Sequence, residues 1–237
     1  QSGEFEPAIT HLTKTIELGG EDSSVFGLLG YAYLNQERYL SAEAAYRNAL
    51  LHAPDNLDWK LGLIKALAAT GEFEPAADLL DEILAVHPEK AGLWTLQAGL
   101  YLQMEQPMKA AVNYELVRKL EKADAKTLML LGDIYMSQEA RDLALPAYLE
   151  AVRIEGADPA HGFRAAEILA SRGAWPETST LLQEIHTRHP ALGEEPRIAR
   201  LPTTGYSAAA TPIAEMYVRA ATHGMTGEIQ FSADVLE

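Results

Sequence analysis

The stretch "GYAYLNQERYLSAEAAYRNALLHAPDN", residues Gly30–Asn56, returns in altered form as "GDIYMSQEARDLALPAYLEAVRIEGAD", residues Gly132–Asp158. In both copies a glycine is followed, at the same offsets, by a tyrosine, an alanine and a second tyrosine. The copies begin at positions 30 and 132, and their separation equals three intervals of 34 residues. A period of this length is typical of a solenoid, in which helical hairpins stack one on the next.

The 34-residue interval divides the chain, without insertion or deletion, into units 23–56, 57–90, 91–124, 125–158 and 159–192. Small and bulky apolar residues recur in each unit at helical spacing, which predicts two helices with a buried stripe on each. A small residue stands where the second helix should cross the first, namely Ala42, Ala76, Ala110, Ala144 and Thr178. We expect Gly132 to face Ala144 at one such crossing, because a larger residue would push the helix axes apart.

Helix-breaking residues recur at the same places in the units. Pro54, Pro88 and Pro190 stand where three of the second helices should end. Gly71 and Gly173 occupy the same place in the turn between two helices. Glycine adopts a left-handed backbone there at little cost, so these positions predict tight turns.

Unit 23–56 carries the spaced residues Phe26, Leu29, Gly30, Tyr33, Ala42, Tyr46, Ala49 and Pro54. This pattern resembles the tetratricopeptide repeat, and Trp94 supplies the aromatic residue that opens the family pattern in a later unit. The resemblance covers about residues 1–192, and it departs from the pattern where Lys60 and Gly162 replace that aromatic residue. It implies an all-α fold: a right-handed superhelical solenoid of antiparallel helix hairpins with an irregular C-terminal extension.

Residues 1–22 fit the second half of a unit, so we expect them to form a second helix without its first helix. Its apolar residues Phe5, Ile9 and Leu12 should then lack their usual cover. On this reading the chain is a fragment of a longer protein, and copies of it could associate through this end.

The repeat register is lost after residue 192. Residues 193–210 are rich in Pro, Gly, Ser, Thr and Ala, which predicts a linker. Residues 211–237 predict a C-terminal helix followed by a short strand. The apolar stripe of the helix over 211–223 suggests that it docks on the solenoid, either as a cap or in the groove.

Composition excludes several classes of function. The formal net charge is -15, which disfavours nucleic acid and anionic membrane surfaces. The chain has no cysteine, so it has no disulfide and no thiolate site, and both the cytoplasm and the periplasm stay open as locations. No apolar run reaches the length of a transmembrane helix, so we expect no direct membrane insertion.

No constellation of residues predicts catalysis. His186 and His189 are three residues apart, but no third metal ligand stands near them in the sequence, so we interpret them as a solvated pair. The segment "GYSAA" at residues 205–209 lacks the preceding strand of a nucleophile elbow and is interpreted as a turn. We therefore predict a protein that is not an enzyme and that uses no cofactor and no metal.

The resemblance implies that the first helix of each unit lines a concave groove. The groove residues predicted from it are Tyr31, Leu34, Asn35, Leu61, Lys65, Thr95, Leu102, Gln103, Met129, Asp133, Met136, Phe163 and Glu167. Some members of the family hold a terminal carboxylate with several Lys, Arg and Asn side chains of this groove, but here the groove positions supply only Lys65, Lys126 and Asn35, which disfavours that use. The apolar members suit an amphipathic helix, although several could equally pack between neighbouring helices.

The function predicted is a non-catalytic scaffold that binds a peptide or helix of a protein partner in this groove. One alternative is a structural spacer or assembly subunit of a bacterial envelope, secretion or exopolysaccharide-export machine. Another alternative is an adaptor region of a larger enzyme whose catalytic domain lies outside this chain. The sequence does not name the partner.

Overall fold

The computed structural model describes residues 5–154 and 159–189, which consist of helices joined by short turns and contain no strand. The helices are α1 (Phe5–Glu17), α2 (Ser23–Asn35), α3 (Tyr39–His52), α4 (Leu57–Thr70), α5 (Phe73–Val86), α6 (Ala91–Gln103), α7 (Pro107–Lys119), α8 (Ala125–Ser137), α9 (Arg141–Arg153), α10 (Pro159–Ser171) and α11 (Trp175–Arg188). They divide into two larger units, a first unit of α1 to α7 and a second unit of α8 to α11, and each of these larger units contains more than one of the 34-residue repeats. The all-α hairpin fold expected from the sequence is confirmed.

The first helices of the repeats begin 34 residues apart, at Ser23, Leu57, Ala91, Ala125 and Pro159. Three of them start at a side-chain cap, because Asp22, Asn56 and Asp124 accept hydrogen bonds from backbone N–H groups of the first turn. Pro54 and Pro88 lie two residues beyond the ends of α3 and α5, so both act as the helix stops that the sequence predicts.

The turn inside each repeat closes in the same way. One residue has a left-handed backbone, and the next backbone N–H donates to the carbonyl five residues earlier, at 2.8–3.0 Å. The left-handed residue is Gly71 (φ 85°) in the second repeat and Gly173 (φ 74°) in the last, as predicted. In the other three repeats it is a glutamate: Glu37 (φ 59°), Glu105 (φ 56°) and Glu139 (φ 58°).

The core of the first unit runs between the helices of successive hairpins. One cluster of buried residues joins α3, α4, α5 and α6, with Ile64, Ala76 and Leu80 fully buried at its centre. A second cluster joins α1 to α2 and α3. The expectation that Ile9 lacks cover is wrong: Ile9 is only 6% exposed, and Phe5 and Leu12 are half-buried against the same cluster.

Three glycines of the first helices, Gly30, Gly62 and Gly132, make room for tyrosine rings. A methyl group placed on Gly132 would lie less than 3.0 Å from the Tyr148 ring, so this ring requires the glycine; that Gly132 also faces Ala144 stays a prediction. In the first unit the Tyr46 ring lies between Gly30 of α2 and Gly62 of α4, and a methyl group on either glycine would overlap it. The tyrosine therefore occupies space that two glycines leave open.

The linker predicted over 193–210 and the helix and strand predicted over 211–237 lie outside the described residues. Within the part of the chain that the structure describes, no helix has both the length and the apolar character needed to cross a bilayer.

Candidate protein-binding face

Helix α2 exposes two large apolar side chains. Tyr31, predicted as a groove residue, is 52% exposed, and Leu28, which the sequence analysis did not select, is 51% exposed. They lie three residues apart, so they share one side of the helix. The Tyr31 and Phe5 rings form an edge-to-face pair, with 6.0 Å between the ring centroids. Asn35 is exposed too, but its amide donates to the Tyr31 carbonyl at 2.8 Å.

The other predicted residue on α2 and those on α4 divide between surface and core. Leu34 and Leu61 are half-buried and pack against the cluster of α3 to α6, so part of each side chain belongs to the core. Lys65 is exposed on α4. Gly27, which occupies a groove position by resemblance, is buried beneath Trp59, whose indole N–H donates to Ser23 Oγ at 2.9 Å. The sequence could not show this, because Trp59 comes from the next repeat.

Helix α6 contributes Thr95 and Leu102, both half-buried, and the exposed Gln103. The Thr95 hydroxyl donates to the Ala91 carbonyl at 3.2 Å, which leaves its methyl group as the apolar contact. Neither α2 nor α6 contains a charged residue, although the whole chain has a net charge of -15. Helices α2 and α6 therefore offer an uncharged surface, and α4 adds the exposed Lys65.

In the second unit, Met129, Met136 and Phe163 are half-buried, and Glu167 is exposed. Asp133 belongs to the structure of the hairpins themselves. Its carboxylate accepts a hydrogen bond from Tyr148 Oη at 2.6 Å and forms an ion pair with Arg164.

The pKa values of Tyr148 and Arg164 are both raised in this arrangement. Burial raises the pKa of Tyr148 first, and the hydrogen bond to Asp133 adds to that effect. The hydrogen bond with Tyr148 raises the pKa of Arg164. Because its carboxylate joins α8, α9 and α10, Asp133 is a poor candidate for binding an external ligand.

A buried polar chain crosses three helices of the first unit, and the sequence analysis missed it. Gln97 of α6, 1% exposed, donates from Nε2 to Asp81 Oδ1 of α5 at 2.6 Å and to the Ala77 carbonyl at 3.2 Å. Its Oε1 accepts from Nδ2 of Asn113 of α7 at 2.8 Å, and Asn113 is 4% exposed. Buried amides bonded in this way hold neighbouring helices in one register. The only sequence signal was a glutamine and an asparagine at positions that are otherwise apolar.

Residues 5–154 and 159–189 contain no group of three His, Asp or Glu side chains that could hold a metal ion. His186 and His189 are half-buried at the end of α11.

Family models of the tetratricopeptide repeat match residues 33–100 and 125–158. The chain contains tetratricopeptide repeats. Chicken (Gallus gallus) DnaJ homolog subfamily C member 3 is 27% identical over 168 residues, which are 65% of this chain and 33% of that protein. Superkiller protein 3 of Schizosaccharomyces pombe is 32% identical over 105 residues, which are 42% of this chain and 7% of that protein. The chain therefore spans a third or less of the length of these curated relatives.

Solved structures show the same hairpin fold. A crystal structure of MamA superposes with a TM-score of 0.59 at 17% identity and covers 78% of this chain and all of that one. Residues 41 to the end of MamA from Desulfovibrio magneticus RS-1 superpose with a TM-score of 0.57 at 19% identity, over 65% of this chain and 86% of that one. At this identity the likeness concerns the fold alone. The tetratricopeptide repeats indicate a protein-interaction scaffold.

Proposed function

We propose that the tetratricopeptide repeats of the first unit bind a helix or an extended segment of a protein partner. The binding face is formed by α2, α4 and α6 and includes Tyr31 of α2, Lys65 of α4 and Leu102 of α6. The exposed pair Leu28 and Tyr31 on α2 carries this proposal. An aromatic ring beside an aliphatic side chain is a common anchor for a partner, because both bury a large area at little entropic cost.

The composition of these helices favours an apolar ligand face. Because α2 and α6 lack charged residues, an acidic or basic tail would find no ion pair on them. An amphipathic helix would place its apolar side on Leu28 and Tyr31 and its polar side in water. Lys65, which is exposed on α4, is available to one acidic group at the rim of the ligand. We include Met129, Met136 and Phe163 of the second unit as candidates for the same role.

The experiment compares two double variants of the full chain as baits, with the bound proteins quantified by mass spectrometry. Leu28→Ser with Tyr31→Ser removes the exposed apolar pair on α2, which is the first helix of its repeat. Leu40→Ser with Leu51→Ser is the matched control, because these side chains are 71% and 78% exposed on the second helix α3.

Relative to the unchanged chain, we expect a set of partners to be depleted at least tenfold on the first variant and retained on the control. A tenfold loss corresponds to about 1.4 kcal/mol of binding free energy. Equal depletion on both variants would contradict the proposal, and so would retention of every partner on the first variant.

A second candidate function is an assembly subunit whose partners dock on the second helices. Leu40 and Leu51 on α3 and Met108 and Val112 on α7 favour it, because each is between 47% and 78% exposed. The adaptor function within a larger enzyme and the absence of catalysis stay predictions.

A further inference from the structure

Two second helices of the first unit carry opposite charge. Helix α5 contains Glu74, Asp78, Asp81 and Glu82 and no basic residue. Helix α7 contains Lys109, Arg118 and Lys119 and one acidic residue, Glu115. In a chain with a net charge of -15, a predominantly basic helix stands out against its surroundings.

Both helices pack against α6. The hydrogen-bonded chain from Asp81 through Gln97 to Asn113 joins α5, α6 and α7. At the surface, Lys109 Nζ lies 5.2 Å from the centroid of the Tyr101 ring of α6. Burial, and then the charges of Asp81 and Asp78, raise the pKa of this tyrosine. An acidic strip and a basic strip therefore flank Tyr101 in successive repeats.

Apolar side chains lie uncovered in the basic strip. Met108 is 47% exposed and Val112 is 59% exposed, one helical turn apart on α7. Val112 and Asp78 are 34 residues apart, so they occupy equivalent positions of successive repeats and face the same way. The acidic strip, the basic strip and the two apolar side chains therefore form one surface, which we call the α5–α7 surface.

We propose that the α5–α7 surface binds the α5–α7 surface of a second copy of this chain. A two-fold axis at Val112 would make the two α7 helices cross there, so that the valines pack at the centre and Lys109 of each copy reaches over Asp78 on α5 of the other. Such an isologous contact requires one patch that carries both charges and an apolar centre, and this surface has all three. Two helices of 13 and 14 residues are about 20 Å long, and an interface of that size gives a weak dimer. The contact uses second helices, so it is independent of the proposed binding face on α2, α4 and α6.

The chain has no cysteine, so a single introduced cysteine reports the contact without background. Val112→Cys in the full chain should form a disulfide-linked dimer under mild oxidation, seen on a non-reducing gel, because side chains at a two-fold axis come within disulfide range. The control is Leu40→Cys, which is 71% exposed on α3 and lies outside the α5–α7 surface. Linkage of Val112→Cys with little or none for Leu40→Cys supports the proposal. Equal linkage of both variants, or none for Val112→Cys, refutes it and leaves the surface to a different protein.

Charge exchange tests the orientation. In the Val112→Cys background, Lys109→Glu should lower the linked fraction about tenfold, because two contacts in the dimer become repulsive. Adding Asp78→Lys to the same chain should restore linkage, since each exchanged charge then meets its opposite on the other copy. Melting curves of both variants check that the fold is retained. A failure of Asp78→Lys to restore linkage in a folded protein contradicts the arrangement.

Discussion

Replacing Glu37 with glycine should stabilise the turn between α2 and α3. Glu37 has a left-handed backbone with φ of 59°, in the position that Gly71 occupies, with φ of 85°, in the next repeat. A left-handed backbone brings Cβ close to the following carbonyl oxygen and costs a residue with a side chain about 1–2 kcal/mol. Glycine avoids that cost, but it loses more backbone freedom on folding, by about 0.5–1 kcal/mol. The free energy of unfolding should therefore rise by about 0.5–1 kcal/mol.

The same change at Glu105 should have the same effect, because its φ of 56° is nearly identical. The two turns belong to different repeats, so the gains should add in the Glu37→Gly, Glu105→Gly double variant. The reverse change, Gly71→Glu, is the matched control. A Cβ on Gly71 would meet nothing within 4 Å, so any loss of stability comes from the backbone and not from a clash.

Urea titrations followed by circular dichroism at 222 nm, together with thermal melts, would measure these changes. For a protein of this size, about 1 kcal/mol shifts the melting temperature by roughly 2–4 °C. We expect each glutamate-to-glycine variant to melt at a higher temperature and Gly71→Glu to melt at a lower one. If both glycine variants melt unchanged or earlier, the glutamates are not strained, and the argument from the backbone angle fails.

Three further changes test the packing and the titration of the first and second units. Gly132→Ala should lower the free energy of unfolding by about 1–3 kcal/mol in urea titrations, because its methyl group would overlap the tyrosine ring beside it, whereas Gly99→Ala, with nothing within 4 Å, should be neutral or stabilising. Gln97→Leu should lower the free energy of unfolding by about 1–3 kcal/mol, because it leaves the buried amide of Asn113 without its acceptor. The Gln97→Leu, Asn113→Leu double variant should recover part of that loss in a double-mutant cycle. Burial raises the pKa of Tyr46 to about 12, so between about pH 10 and pH 12 the unfolded chain loses this proton before the folded chain does, and stability should fall over that window by at most roughly 1.4 kcal/mol per pH unit. Urea titrations at several pH values should show a shallower fall for Tyr46→Phe.

The repeat fold could be predicted because its signal occurs many times in the sequence. Small residues at the crossings and breakers between helices recur every 34 residues, so errors at single positions such as Lys60 do not obscure the pattern. The left-handed turns were visible only where glycine stands, at Gly71 and Gly173. Glutamate has no preference for that backbone, so Glu37 and Glu105 could be recognised only from their place in the repeat.

The candidate binding face was harder to predict, because exposure depends on neighbouring repeats. The repeat position alone cannot show that Trp59 covers Gly27 or that the Asp133 carboxylate is bonded to Tyr148 and paired with Arg164. Those contacts join side chains of different helices. The exposure of Leu28 was missed because the family pattern assigns its position no binding role.

The packing of the Tyr46 ring restricts the order in which these repeats can follow one another along the chain. Its ring needs Gly30 in its own repeat and Gly62 in the following one. The residue equivalent to Gly62 is Leu96 in the next repeat and Arg164 in the repeat of α10 and α11. A duplication or shuffling event that placed residues 23–56 directly before residues 91–124 would drive the ring into a leucine. Repeats 23–56 and 57–90 are thus matched to each other by one large side chain and one absent side chain, although their backbones are alike.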